Sequence, residues 1–345
     1  MDIFNDNDRQ FLYDQAKAGQ KKELFKNSLI LGILLLCYNV FLEMSVYLYC
    51  YFYYFLKTRK FTLNFGVCKN YINDNLEKFS VTEFEMLGNA FVTFTSLLGI
   101  LLLARFGFKI KTTQMLKCDK KGVAIGVKVF PFSLLLNYVF TMIISIITML
   151  FANQGIIIPE ADFSVDKTTF IAGFSMFIYM VVLAPIIEEI VYRGFILKLI
   201  SPYGKTVSVI LSAFIFGFMH GNLSQFVTAF VTGIVFSAVA VKTGSILPTI
   251  VMHMMNNAIN FIAIIGEDYS LDVCLTVYSV LFTCILLVGV MEIFIFRGVI
   301  KQKPMETTLL STKESVKTII LNPAILLYLG YLTYTFVKQI IEANI

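Results

Sequence analysis

The run Ala184-Pro185-Ile186-Ile187-Glu188-Glu189-Ile190-Val191-Tyr192-Arg193 sets three ionisable side chains within an apolar stretch that extends over residues 168–197. A helix crosses the hydrocarbon core of a bilayer with about 20 apolar residues, so these charges lie at membrane depth. A charged group at the bilayer centre costs about 2.5–3.5 kcal/mol, so it faces a polar cavity or a partner rather than lipid. The stretch reads as a membrane helix with polar work to do.

Outward from it, the chain keeps the same character. Of its 345 residues 57% are hydrophobic and 15% charged, and the mean hydropathy is +0.77. A soluble globular chain is about 45–50% apolar and about 25% charged, so this one belongs to the membrane class. Apolar runs predict spans near 28–56, 86–104, 123–151, 168–197, 206–220, 225–241, 246–265, 271–296 and 318–340. The expected fold is all-α, a polytopic bundle of eight to nine transmembrane helices. The 206–220 run is short and ends in His220-Gly221-Asn222. A turn at membrane depth is tolerated only where protein buries it or it lines a cavity.

The expected organisation has four parts. A polar N-terminal segment over 1–27, with Phe11, Leu12 and Phe25 among mixed charges, is expected as an amphipathic helix on the membrane surface. A transmembrane region over 28–167 contains a polar excursion at 57–85. Residues 168–265 form the helical core that carries the polar constellation, and 266–345 add the C-terminal helices. The N-terminus is too polar to read as a cleavable signal sequence.

Loop charges orient the bundle. Arg105, Lys109, Lys111, Lys117, Lys120 and Lys121 stand against Asp119 alone, and Lys198, Lys205, Lys242, Arg297, Lys301 and Lys303 follow the same side. These basic loops are expected in the cytoplasm, with Glu160, Asp162 and Asp166 outside. Lys57, Arg59 and Lys60 fall on the outer side and conflict with the rule. Compact loops and a Lys-, Ile-, Asn- and Phe-rich composition point to a bacterial cell membrane. The net charge of +5 is spread out, which speaks against nucleic acid and leaves membrane lipid as a partner. Six cysteines, at 37, 50, 68, 118, 274 and 284, form no CxxC pattern. They read as small buried hydrophobes.

On a helix, residues four apart share a face. Glu189 and Arg193 are therefore expected as an ion pair that holds the site together, which leaves Glu188 free for a cavity. The chain has only two histidines. His220 closes the run Phe216-Gly217-Phe218-Met219-His220, and His253 precedes Asn257 by four residues, so imidazole and carboxamide share a face. Such a donor pair suits a developing oxyanion. Each feature also has a structural reading, as interhelical hydrogen bonds or a buried network. Together they fit hydrolysis by a carboxylate that takes a proton from water. Glu188, His220 and His253 would also suffice as zinc ligands. The absence of an HExxH helix favours a site without metal or other cofactor. No Gly-x-Ser-x-Gly nucleophile is present.

These residues resemble the CPBP family of intramembrane proteases, the CAAX- and bacteriocin-processing group also called Abi. Its marks are Glu-Glu-x-x-x-Arg, Phe-x-x-x-His and His-x-x-x-Asn on successive membrane helices. Here they stand as Glu188-Glu189…Arg193, Phe216…His220 and His253…Asn257, preceded by Lys242-Thr243-Gly244-Ser245-Ile246-Leu247-Pro248. The resemblance implies an intramembrane endopeptidase acting on a peptide or protein substrate at the membrane, including lipid-modified or leader-bearing ones. By the same resemblance, Glu188 activates water, His220 assists it, His253 and Asn257 stabilise the oxyanion, and Glu189 with Arg193 supports the site. Two other classes compete: a non-catalytic immunity or scaffold protein that binds a partner peptide, and a proton-coupled transporter. The inverted repeats expected of a transporter are not visible in the hydropathy pattern.

Overall fold

The computed structural model describes residues 6–75, 81–117, 120–159, 170–268, 271–296 and 308–344. The acidic loop residues Glu160, Asp162 and Asp166, the basic residues Arg297, Lys301 and Lys303, and Cys118 and Asp119 lie outside them. Among the described residues helices are the regular secondary structure, with no strand. In hydrocarbon every backbone N–H and C=O must be satisfied inside the protein, and a helix does this for nearly all of its own.

The helices in chain order are α1 (Asp6–Thr58), α2 (Phe65–Asn75), α3 (Val81–Leu102), α4 (Lys120–Ala152) and α5 (Phe170–Tyr203). They continue with α6 (Lys205–Phe218), α7 (Leu223–Thr243), α8 (Leu247–Asp268), α9 (Asp272–Phe296), α10 (Thr312–Ile320) and α11 (Pro323–Glu342). Eight of these are long and apolar enough to cross a membrane, namely all but α2, α6 and α10. The protein is an integral membrane protein. Helix α6, with 14 residues, reaches only about 21 Å, and it turns back at Met219–Asn222 as its sequence implied.

Helix α1 has 53 residues, or about 80 Å of helix. The polar N-terminal segment is its first part, helical from Asp6 and running without a break into the first span. The polar excursion at 57–85 contains α2, whose Ile72 packs with Tyr49 and Tyr53 of α1.

The main core joins α1, α3, α5, α6, α8, α10 and α11 through residues such as Leu31, Ile100, Ile196, Ile215, Ile250, Ile319 and Tyr328. A second cluster, including Phe130, Leu134, Phe236, Met252 and Ile259, packs α4 against α7 and α8. Large apolar side chains outside both, such as Phe170, Ile146 and Leu287, are exposed, as lipid-facing residues are.

Hydrogen bonds collect one end of the bundle. Lys198 Nζ reaches Gln114 Oε1 at 3.2 Å, and Ser245 Oγ donates to the Met115 carbonyl at 3.1 Å. Asn27 donates to the Leu199 carbonyl and Ser315 to the Tyr203 carbonyl, at 3.2 and 2.9 Å. The loop after α3, the end of α5, the start of α8, α10 and the polar part of α1 therefore share this basic end. Because α1 starts there and spans, Lys57, Arg59 and Lys60 are carried to the opposite end, where the charge count had put them in conflict.

Candidate active site

Helix α5 supplies the carboxylates and is irregular where it does so. It contains π-helical turns at Ile178–Leu183 and at Glu189–Phe195. Such turns are rare and concentrate at functional sites. Pro185 gives the first a physical cause, because it has no N–H to donate. Ala184 N–H bonds to the Tyr179 carbonyl, five residues back. In that register the Met180 carbonyl would accept from residue 185, which is the proline. The orphaned oxygen is taken by Asn257 of α8, whose Nδ2 donates to it at 2.8 Å.

The second π turn carries Glu189 and Arg193, both with no solvent exposure. Arg193 Nη1 donates to Glu189 Oε1 at 2.9 Å, the ion pair expected from the spacing. A buried ion pair survives only if its other atoms are also stabilised. Among the described residues, Arg193 Nε and Nη2 have no hydrogen-bond partner. Instead the guanidinium lies 3.7 Å from the Phe216 ring centroid and 5.6 Å from that of Phe236. Ring faces attract a desolvated cation by about 2 kcal/mol.

His253, from α8, stands between the two glutamates. Its Nδ1 is 3.0 Å from Glu189 Oε1 and its Nε2 is 3.7 Å from Glu188 Oε2. Since Glu189 as a carboxylate only accepts, Nδ1 carries the proton. The Nε2 of a neutral ring then faces Glu188 with a lone pair, and it can donate there only if the ring is doubly protonated. The Glu188 side chain keeps 18% exposure against none for Glu189. The inequality expected between the adjacent acids is present.

His220 sits at the end of α6. Its Nδ1 lies 2.8 Å from the Phe216 carbonyl, which only accepts, so Nδ1 holds the proton and Nε2 is an acceptor. Glu188 and His253 are both within electrostatic reach of this ring. Phe216 organises the group: its ring meets His220 edge-on at 5.1 Å and His253 at 5.8 Å. The turn that follows is held by Gly221 in a left-handed conformation, φ +77°. Asn222 then caps α7 by accepting from Gln225 N–H at 2.9 Å.

The spacing of His253 and Asn257 suggested a donor pair aimed at one oxygen. In the structure each is engaged elsewhere, His253 with Glu189 and Asn257 with Met180, and Asn257 keeps one N–H for other use. Phe236 and the Met180 carbonyl were not among the residues singled out, and Phe216 was named only as the start of the Phe-x-x-x-His motif. Pro185 in a membrane helix was the signal for the last of these. The aromatic ones had none beyond the Phe-x-x-x-His spacing. As for zinc, among the described residues no three His, Cys, Asp or Glu side chains are grouped as metal ligands, so no step is derived through a metal.

Residues 170–259 match the family model described as Rce1-like, type II CAAX prenyl endopeptidase Rce1-like. The match runs from the start of α5 into α8 and contains Glu188, Glu189, Arg193, His220, His253 and Asn257. The chain thus carries an Rce1-like domain of the CPBP type over these residues. No curated protein and no solved structure matches the chain.

Proposed function

We propose that the protein is an intramembrane endopeptidase that hydrolyses peptide bonds of membrane-associated substrates by glutamate-activated water. The observation that carries this reading is the unequal setting of two adjacent acids. Glu189 is buried and neutralised by Arg193, whereas Glu188 is partly open and faces a histidine Nε2. A carboxylate that keeps solvent access and has no arginine partner can take a proton from water.

In this mechanism Glu188 takes a proton from water, and the resulting hydroxide adds to the scissile carbonyl carbon. His220, with a lone pair on Nε2, accepts the water's other hydrogen and orients it. The carbonyl oxygen becomes an oxyanion, which the remaining N–H of Asn257 and the Nε2–H of doubly protonated His253 meet. Glu188 then returns the proton to the leaving nitrogen as the C–N bond breaks. Glu189, Arg193 and Phe216 hold the two imidazoles in register.

The domain match supports a peptide or protein substrate, and the proposed one lies at the membrane, of CAAX type with a prenyl group or bearing a leader. The basic end of the bundle would face the cytoplasm. The test is cleavage of prenylated and unmodified peptides by the purified protein, with and without a strong chelator. Cleavage that persists under chelation and is lost in Glu188→Gln supports the reading. A Glu188→Gln variant that cleaves like wild type sinks it.

A further inference from the structure

We propose that a basic groove between α1 and α10, lined by none of the candidate active-site residues, binds the phosphate of an anionic phospholipid headgroup. The groove has a volume of about 480 Å³ and is lined by Ala18, Lys21, Lys22 and Phe25 of α1 and by Lys317, Thr318 and Leu321 at α10. Positions 18, 21, 22 and 25 form one helix face, and 317, 318 and 321 form another turned towards it.

Lys21, Lys22 and Lys317 thus line one space, and among the described residues no carboxylate pairs with any of them. The nearby acids are already engaged. Glu314 binds Lys17 at 2.9 Å and accepts from Ser311 Oγ at 2.7 Å, while Glu23 accepts from Tyr203 at 3.2 Å. An anion entering the groove would meet three lysines of like charge.

The floor of the groove separates a lipid from a free anion. Phe25 and Leu321 are 44% and 57% exposed, and they sit where α1 passes from its polar to its apolar part. A lysine rim over an exposed apolar floor suits an amphiphile whose phosphate meets the rim and whose glycerol and acyl portion lies on the floor. Inorganic phosphate would use the rim alone. Basic pockets beside transmembrane helices bind anionic lipid headgroups on these terms.

The walls are fixed beforehand. Gln20 Oε1 accepts from Thr308 Oγ1 at 3.2 Å and from Leu309 N–H at 3.0 Å, and Asn322 Nδ2 donates to the Phe25 carbonyl at 3.0 Å. With the Lys17–Glu314 pair, these bonds clamp α10 to α1 at both ends of the groove.

The test is native mass spectrometry of the full-length protein in detergent, titrated with phosphatidylglycerol and with phosphatidylcholine of the same acyl chains. Phosphatidylglycerol is expected to bind more tightly, and Lys21→Gln/Lys22→Gln/Lys317→Gln to weaken it by about tenfold or more. A control that removes equal charge elsewhere, Lys109→Gln/Lys111→Gln/Lys120→Gln, should leave it unchanged. Equal loss in the control, or a preference that survives the groove variant, overturns the proposal. So does displacement of phosphatidylglycerol by inorganic phosphate, which would make this a free-anion site. In the wild-type protein, a photoreactive phosphatidylglycerol should label 18–25 and 317–321, and labelling confined to other segments would also defeat the assignment.

Discussion

Glu188 and Glu189 are neighbours in the chain and occupy opposite ring nitrogens of one histidine. His253 Nδ1 stands 3.0 Å from Glu189, and its Nε2 stands 3.7 Å from Glu188. The first contact is a hydrogen bond. The second is too long for one, so this carboxylate is near the ring without being hydrogen-bonded to it. One imidazole thus joins a structural ion pair to the carboxylate proposed as the base.

The two glutamates should respond differently to the same change. Glu188→Gln is expected to abolish cleavage with little change in thermal stability. Glu189→Gln leaves Arg193 buried without its counter-charge, which costs about 3–5 kcal/mol. Thermal unfolding in detergent, read beside peptide cleavage, separates the effects.

Phe216 should act through Arg193 and both histidines. Phe216→Leu keeps the apolar bulk but removes the ring 3.7 Å from the guanidinium. The loss is expected at about 2 kcal/mol of stability. The turnover rate should fall more than substrate affinity, because the imidazoles lose their common wall. Steady-state kinetics on a cleaved peptide checks this.

The Asn257–Met180 bond predicts a coupling with Pro185. Asn257→Leu strands a part-buried carbonyl and should cost about 1 kcal/mol. In a Pro185→Ala background the new backbone N–H can reach the Met180 oxygen, so the same change should cost less. A double-mutant cycle on unfolding free energies measures the difference. Strict additivity would contradict the account of the π turn.

Gly217 marks a close approach of α6 to α7, since a Cβ there would lie 2.7 Å from the Phe226 carbonyl oxygen. Gly217→Ala must push the helices apart at backbone, three residues before His220. Overpacking of this kind costs about 1–3 kcal/mol. Activity should fall along with the unfolding temperature, whereas Gly330→Ala, where nothing would meet a Cβ, should change neither.

The docking of α10 should be sensitive to acid. Hydrogen bonds from Ser311 and then the Lys17 ammonium hold the Glu314 carboxyl down to about 2, below its ordinary value of 4.5. A depressed carboxylate contributes stability above its ordinary value and loses it as pH falls towards 2. Hydrogen exchange across 311–321 should quicken as pH drops through that window, after correction for intrinsic exchange. Glu314→Gln should remove that pH dependence.

Much of this was legible in the chain. The apolar runs gave the helical bundle because a membrane admits few other backbones, and eight long spans with one short helix followed. The four-residue spacing of Glu189 and Arg193 was enough to foresee their ion pair. The spacing of His253 and Asn257 was not enough, because a shared face says where two side chains point and not what they meet. Helical periodicity is a local property, and the sequence determined everything that depended on it alone: the fold class, the candidate residues and the inequality of the two acids. Which partner each residue finds was decided by the tertiary structure. A proline-linked π turn freed the Met180 carbonyl, and Phe216 came to rest under Arg193. The packing of α8 against α5 brought His253 between the glutamates. Those choices rest on distances between helices far apart in the chain, which no local spacing records.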